Sequence, residues 1–592
     1  MSTFGQLLFN FVDNFSNEIF TQTSKEDTKN IERRRSTLGN IHDIHDIQQT
    51  DLQAELRDLH TPKNDYFYED LTFRRNRALG RKYYDFSKTE NERSSSKLND
   101  FFKSPSLTSL DRQFTPGYKI IWRRPHQICQ NPVFISDGTS QFDICQGRIG
   151  DCWFLAALAD LSRFPDLLGR VLPKEKSIES DGGGRALSKK QSKNYDGSFI
   201  FNFFQFGEWV KIQIDDLLPL KVDKNFDENS KQDLNKISPK NLMFVKSSDQ
   251  NEFWPSLLEK AYAKFKGSYS NLDGGYAHEA MIDLTGGMFE VLKNLGDKKI
   301  DGREAFEVIH DSQRKEIGFG ALVSSNIPVD PDQKEAQMDN GLICGHAYSV
   351  LDAQVFSYKN SKKKPKQNQK QVRCLKLRNP WGQGEWTGLF SDYSLIWEKI
   401  DQAREIFQLT ASDDGEFWIC VDDFFEYFEK IEICHLVKMN SMNIKILYSK
   451  WSIASNTAGG CYNSGWEKFS QNPFLAIEMN SNKKFCLINL HQKVCGLLNR
   501  SSDTIEYQSI GFMVLKVLDQ QSKLSEFQKF KTLSEIENVE RVLEPIDYSS
   551  FRRTRDVSKK MRIGQKSGIF LIVPSTFDSG CEAEFYLRVM IK

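Results

Sequence analysis

Hydrophobic and polar positions change rhythm several times along this chain. In SFIFNFFQFGEWVKIQIDDLLP (198–219) apolar residues alternate in two arms around Phe206-Gly207-Glu208, which predicts a β-hairpin. NEFWPSLLEKAYAKF (251–265) has helical periodicity, and WFLAALADL (153–161) is apolar on every side, as a helix buried on all its faces would be. From about 443 onward short apolar runs alternate with turn residues and end in GIFLIVPSTF and AEFYLRVMI, the pattern of an all-β sandwich. Residues 357–371, SYKNSKKKPKQNQKQ, form a basic, Pro-containing insertion between two strand-like runs, and they predict a solvated loop.

Residues 1–65 differ from the rest and predict a separate, partly disordered arm. Within it Phe4, Leu7, Leu8, Phe11, Val12, Phe15 and Ile19 follow helical spacing, an apolar stripe suited to docking on the protein's own core. A membrane-surface helix fits less well, because the polar face carries Asn, Asp, Glu and Ser where such helices carry Lys and Arg. Peripheral contact with a membrane is left open. Leu38, Ile41, Ile44 and Ile47 extend the helical habit, and His42 and His45 beside them read as a solvated face more readily than as metal ligands. Arg33-Arg34-Arg35-Ser36 reads as a basic surface patch, with a phosphorylation site as the alternative.

At 592 residues the chain calls for about two to four domains, so burial of a core is not limiting. Lys plus Arg and Asp plus Glu balance at 80 each, which removes the electrostatic footprint of a nucleic-acid binder. The 11 cysteines include no C-x-x-C pair, and the first residues lack the basic region and cleavage site of a signal peptide. These features predict a reducing, cytoplasmic setting. No run of about 18 apolar residues predicts a transmembrane helix.

Candidate chemistry centres on CQGRIGDCWFLAAL (145–158). A thiol reacts as its thiolate, which a helix amino terminus stabilises. Gly147 and Gly150 permit a tight turn, Asp151 is a suitable capping residue, and Cys152 then stands at the start of the apolar helix. Gln146 could supply an amide donor for an oxyanion. A nucleophilic cysteine needs a base and an orienting partner. His346 in GLICGHAYSVLDA opens one strand-like run, and Asn379 in RCLKLRNPWGQGEW closes another, so the two could meet across a sheet. Taken singly, each of these residues is more often structural.

The segments QGRIGDCWFLAAL, FGEWVKIQIDDLLP, NEFWPSLLEKAYAK, TGG, GHAYSV, RNPWGQGEWTG, DDGEFW and NTAGGC occur in the order found in calpains, the intracellular calcium-dependent cysteine proteases. From about residue 66 to the end the chain resembles that family. The resemblance implies an α+β papain-like cysteine protease core of two subdomains followed by a β-sandwich. The implied boundaries are 66–286 for the helical subdomain with the cysteine, 287–442 for the β-rich subdomain with the histidine and asparagine, and 443–592 for the sandwich. Cys152 looks like the nucleophile, His346 the general base and acid, Asn379 the orienting residue and Gln146 the oxyanion donor. Trp381 matches a tryptophan that in the family wedges into the cleft when calcium is absent.

The resemblance also implies Ca2+ as cofactor, with one site in each half of the core. The matched ligands are the carbonyls of Ser136 and Gly138 with the carboxylates of Asp143 and Glu252, then Glu385, Asp392, Asp414 and Glu416 with a carbonyl near Ser412. Oxygen ligands of this kind suit calcium. The implied activity is limited proteolysis of protein substrates. The sequence carries no D-x-[DN]-x-[DN]-G loop near its end, so a penta-EF-hand domain and the small regulatory subunit that such a domain binds are not expected. In the sandwich, MNSNKKFCL (479–487) stands where other members carry a long acidic loop. Two alternatives compete: a calcium-binding scaffold of calpain type that cuts nothing, disfavoured because every expected catalytic group is retained, and a calcium-dependent transglutaminase, disfavoured by the N-P-W context of Asn379.

Overall fold

A computed structural model describes residues 68–73, 78–79, 118–174, 178, 195–293, 302–313, 321–328, 336–359, 369–400, 412–437, 444–480, 485–493, 507–519, 521–562 and 567–592. The arm at 1–65, with its apolar stripe, His42, His45 and the Arg33 patch, lies outside them, as does the centre of the basic insertion.

The apolar run becomes helix α1, Cys152–Ser162, in which all eleven residues are buried. It is followed by α2, Pro165–Val171, and then by a hairpin of β2, Ser198–Gln205, and β3, Glu208–Asp215. The hairpin turns at Phe206 and Gly207, both at positive φ (48° and 89°), the backbone twist that two-residue hairpin loops require. Strand β1, Tyr118–Arg123, pairs with β4, Leu218–Asp223, as a separate ribbon.

Helix α3, Trp254–Lys266, begins with Pro255 in its first turn, where the missing N–H costs nothing. Its sequence reads as amphipathic, yet all thirteen residues are buried. Its lysines are paired instead of solvated. Lys260 is held by the Asp215 carboxylate and the Leu217 carbonyl, and Lys264 Nζ lies 2.6 Å from Asp70 Oδ2. Helix α4, Ala277–Thr285, completes the helical half against α1.

Beyond it, β5 (Met288–Lys293), β6 (Ala321–Asn326), β7 (Ala347–Lys359), β8 (Gln369–Arg378), β9 (Glu416–Cys420) and β10 (Lys430–His435) form one antiparallel sheet in the order β5-β10-β6-β7-β8-β9. Helices α5, Gly302–Gln313, and α6, Val421–Tyr427, cover it. The remaining strands are β11 (Ile444–Trp451), β12 (Leu475–Met479), β13 (Phe485–Gln492), β14 (Ile510–Val517), β15 (Leu543–Tyr548), β16 (Asp556–Arg562), β17 (Gly568–Thr576) and β18 (Ala583–Ile591). They make two four-stranded sheets, β11-β18-β13-β16 and β12-β17-β14-β15, facing each other across one apolar cluster that includes Trp451, Ile488, Phe512 and Leu587. The expected sandwich is thus present in the fold.

Polar ties lock the three parts together. Asn489 of β13 exchanges two 2.8 Å hydrogen bonds with the backbone of Phe289 in β5. Arg555 reaches Asp283 of α4 at 2.6 Å, and Arg588 donates to the carbonyls of Gly286 and Gly287 at 2.6 Å each. Helix α1 is tied to the six-stranded sheet by two bonds. Ser349 Oγ donates to Ala156 O at 2.8 Å, and the Val323 amide donates to Asp160 Oδ2 at 2.7 Å. No described helix is long and apolar enough to cross a membrane.

Candidate active site

Cys152 opens α1, and His346 and Asn379 stand at the ends of β7 and β8 in the sheet to which α1 is tied. Cys152 is the first residue of α1 and is 8% exposed. Asp151 occupies the N-cap position, but its side chain makes no capping hydrogen bond, contrary to the sequence expectation. Its charge acts instead on Glu259 of α3, whose carboxyl is pushed well above the usual range, first by burial and then by Asp151. A Glu259 carboxyl held protonated avoids the cost of burying a second charge beside Asp151.

His346 immediately precedes β7, and its carbonyl accepts from Ile327 N at 3.1 Å. Asn379 immediately follows β8, with its amide on Gly415 O at 2.8 Å. Because β7 and β8 pair antiparallel, with Ser349 opposite Arg378, the start of one strand lies beside the end of the other. His346 Nε2 and Asn379 Oδ1 are 2.9 Å apart.

The Asn379 amide fixes the histidine tautomer. Its Nδ2 donates to the carbonyls of Gln383 and Gly384 at 2.9 and 3.0 Å, so Oδ1 is the atom that faces the imidazole, and Oδ1 also accepts from Trp381 N at 3.0 Å. His346 Nε2 must therefore be the donor, which leaves Nδ1 as a lone-pair acceptor in the neutral ring. That Nδ1 is buried without a hydrogen-bond partner, so the Cys152 thiol is not joined to it here. The imidazole is fully buried, and burial holds its pKa down to about 4 in spite of the Asn379 bond. The Trp381 ring packs on it with centroids 5.0 Å apart.

Gln146 reaches the same place through its backbone, whose amide lies 3.4 Å from Pro380 O. Its side-chain Nε2 donates to Ile149 O at 2.8 Å, so the amide donor is engaged within its own loop. Gly147 is required here by close approach, since a Cβ would lie 2.3 Å from the Phe244 backbone.

The acidic residues form two groups. In the first, Glu252 accepts from Ser136 N at 2.9 Å and from Ser247 Oγ at 2.8 Å, and Asp143 accepts from Ser140 N at 2.7 Å. Gly138 lies on the same loop at φ 111°. Burial raises both carboxyls, Glu252 to about 6 with a contribution from Asp143. In the second, Glu385 Oε1 accepts from the amides of Asp414 and Gly415 at 3.0 and 2.9 Å, and Ser412 Oγ donates to Asp414 Oδ2 at 2.7 Å. Burial, then neighbouring carboxylates, push Glu385 to about 7 and Asp392 to about 6. Desolvated, mutually repelling carboxyls of this kind suit a hard cation.

The second group is not drawn tight. Among the described residues, three metal-capable side chains have ligand atoms within 4.8 Å of one another only at Glu307, His310 and Asp311 on α5. Glu416, moreover, is paired with Lys376 Nζ at 2.5 Å and accepts from Gln141 Nε2 at 3.1 Å. Sequence reading missed Gln141, Lys376, Glu259 and Asp160, whose roles depend on neighbours far away along the chain.

Residues 100–435 match the profile described as "Calpain family cysteine protease", and residues 447–590 match "Calpain large subunit, domain III". The chain belongs to the calpain family. It is 33% identical to human Calpain-9 over 499 residues, covering 82% of this chain and 63% of that protein. It is 32% identical to Calpain clp-4 of Caenorhabditis elegans over 515 residues (82% and 64%) and 34% identical to Calpain-A of Drosophila melanogaster over 515 residues (82% and 54%). The chain therefore spans less than two thirds of the length of these calpains. Both family matches fall on the parts described above: the first takes in the cysteine helix and the six-stranded sheet, the second the paired β-sheets.

Proposed function

We propose that the chain is a calcium-dependent cysteine endopeptidase that makes limited cuts in protein substrates on a papain-like core. Cys152 is the nucleophile, His346 the general base and acid, Asn379 the orienting residue and Gln146 the oxyanion donor. The observation that carries this reading is the His346 Nε2 to Asn379 Oδ1 contact of 2.9 Å, with Nδ1 left as the unsatisfied acceptor.

In the reaction, His346 Nδ1 takes the Cys152 proton and the thiolate attacks the substrate carbonyl. Gln146 Nε2 leaves Ile149 O to meet the developing oxyanion. His346 returns the proton to the departing amine, and a water deprotonated by the same nitrogen hydrolyses the acyl-enzyme. A ring whose pKa is about 4 is a poor proton carrier near neutrality, so the working state requires Trp381 to leave the imidazole and water to reach it.

Ser136, Gly138, Asp143 and Glu252 in one half, and Glu385, Asp392, Ser412, Asp414 and Glu416 in the other, would hold calcium. When bound, it supplies the positive charge that these carboxyls lack. The test is cleavage of casein across a calcium titration with the native chain and Cys152→Ser. Activity that needs calcium and vanishes in the variant is expected. Calcium binding without cleavage by the native chain would leave the scaffold reading instead.

A further inference from the structure

Next to Gln146 an open groove of about 660 Å3 runs along the helical half. Its charged lining is Arg148, Lys221, Lys240 and Lys246 against one carboxylate, Asp223. The chain as a whole is neutral, with 80 cationic and 80 anionic side chains, so this concentration of positive charge is local. Arg148 and Lys240 are exposed, and Lys221 and Lys246 are half-buried.

The groove is rigidly built. Cys145 and Lys246 exchange backbone hydrogen bonds at 3.0 and 3.1 Å, and Arg148 N donates to Met243 O at 3.1 Å, so the catalytic loop and the 239–246 segment form one floor. Lys221 belongs to β4, paired with β1, and Lys221 Nζ and the Arg148 guanidinium lie 4.9 and 5.2 Å from the centroid of the same Tyr118 ring. No ion pair neutralises Lys221, Lys240 or Lys246 among the described residues. Cations held on a fixed frame next to the oxyanion donor attract negative charge with little ordering cost.

We infer that this groove is a substrate subsite for acidic peptide, binding Asp or Glu side chains that flank the bond to be cut. The inference rests on the protease reading and specifies its substrate class. Contacts of exposed ions are individually weak, so two or three of them give about a tenfold preference that falls with salt.

The test measures binding and cutting separately. A fluorescent acidic dodecapeptide and its Asn/Gln isostere are titrated by anisotropy into the full chain carrying Cys152→Ser. The acidic peptide is expected to bind about tenfold more tightly, with the advantage reduced in high salt and abolished by Arg148→Gln with Lys240→Gln and Lys246→Gln. Equal binding of the two peptides would overturn the inference. Salt dependence in the Cys152→Ser chain tests it even where the triple variant folds poorly. With the native chain, kcat/KM is compared for peptides with acidic and neutral flanks. With calcium present, cleavage without discrimination overturns the subsite and leaves the protease intact, whereas selective acidic binding with no cleavage of either peptide overturns the protease and with it the substrate role of the groove, leaving it an acidic-peptide binding surface.

Discussion

Replacing Asp160 by Asn tests how α1, the helix that carries Cys152, is held against the sheet that leads to His346. Asp160 is fully buried, accepts the Val323 amide at 2.7 Å and takes Arg163 Nη1 at 3.0 Å. Burial outweighs both partners and pushes its pKa from 3.8 to about 6. A carboxyl raised in the folded state stabilises the fold fully below its unfolded pKa, and that contribution is lost as pH rises through the folded value. A shift of roughly two units corresponds to about 3 kcal/mol, of which about 2 kcal/mol is lost between pH 4.5 and 7. Asparagine keeps an acceptor for Val323 and cannot ionise. The variant's stability relative to the native chain is therefore expected to improve by about 2 kcal/mol on going from pH 4.5 to pH 7. Urea unfolding at the two pH values measures this difference, in which the other titrating groups cancel. A relative stability that stays constant within about 0.5 kcal/mol would refute the assignment of Asp160 as a buried acid titrating near 6. Asp160→Ala provides the contrast: it leaves the Val323 amide without its acceptor and is expected to lie about 1–3 kcal/mol below Asp160→Asn in stability at either pH.

Asn379→Ala frees the imidazole and also releases the carbonyls of Gln383 and Gly384, so kcat on casein is expected to fall about 100-fold with little change in KM; an unchanged kcat would remove Asn379 from the orienting role. Trp381→Ala uncovers the His346 ring, and the imidazole pKa is expected to rise from about 4 toward the ordinary histidine value. NMR titration of His346 in calcium-free protein checks this, and a value still near 4 would mean that other neighbours bury the ring. Calcium binding should release protons, because Glu385 at about 7 and Asp392 and Glu252 at about 6 must give them up. Calorimetry in buffers of different ionisation heat, together with a lower half-saturating calcium concentration at pH 8 than at pH 6, tests the coupling; buffer-independent heats would exclude these carboxyls as ligands.

Features written in local pattern were legible from the sequence. The helix at Cys152, the hairpin turning at Phe206-Gly207 and the β-rich end depend on apolar spacing and turn residues within a few positions of each other. His346 at the start of one strand and Asn379 at the end of the next were legible for the same reason. The tertiary structure alone decided the rest. The register of β7 on β8 is what brings two side chains 33 positions apart to 2.9 Å, and the carbonyls of a following turn are what choose the imidazole tautomer. The capping role expected of Asp151 gave way to Glu259, more than a hundred residues on, because a neighbouring helix buries both acids together. Helix α3 reads as amphipathic but has no solvated face, since its lysines find carboxylates on Asp70 and Asp215 that no local pattern discloses. Periodicity records how a segment relates to its own neighbours in sequence. Proton affinity, hydrogen-bond polarity and the company of a buried charge are set by whatever the fold packs around it.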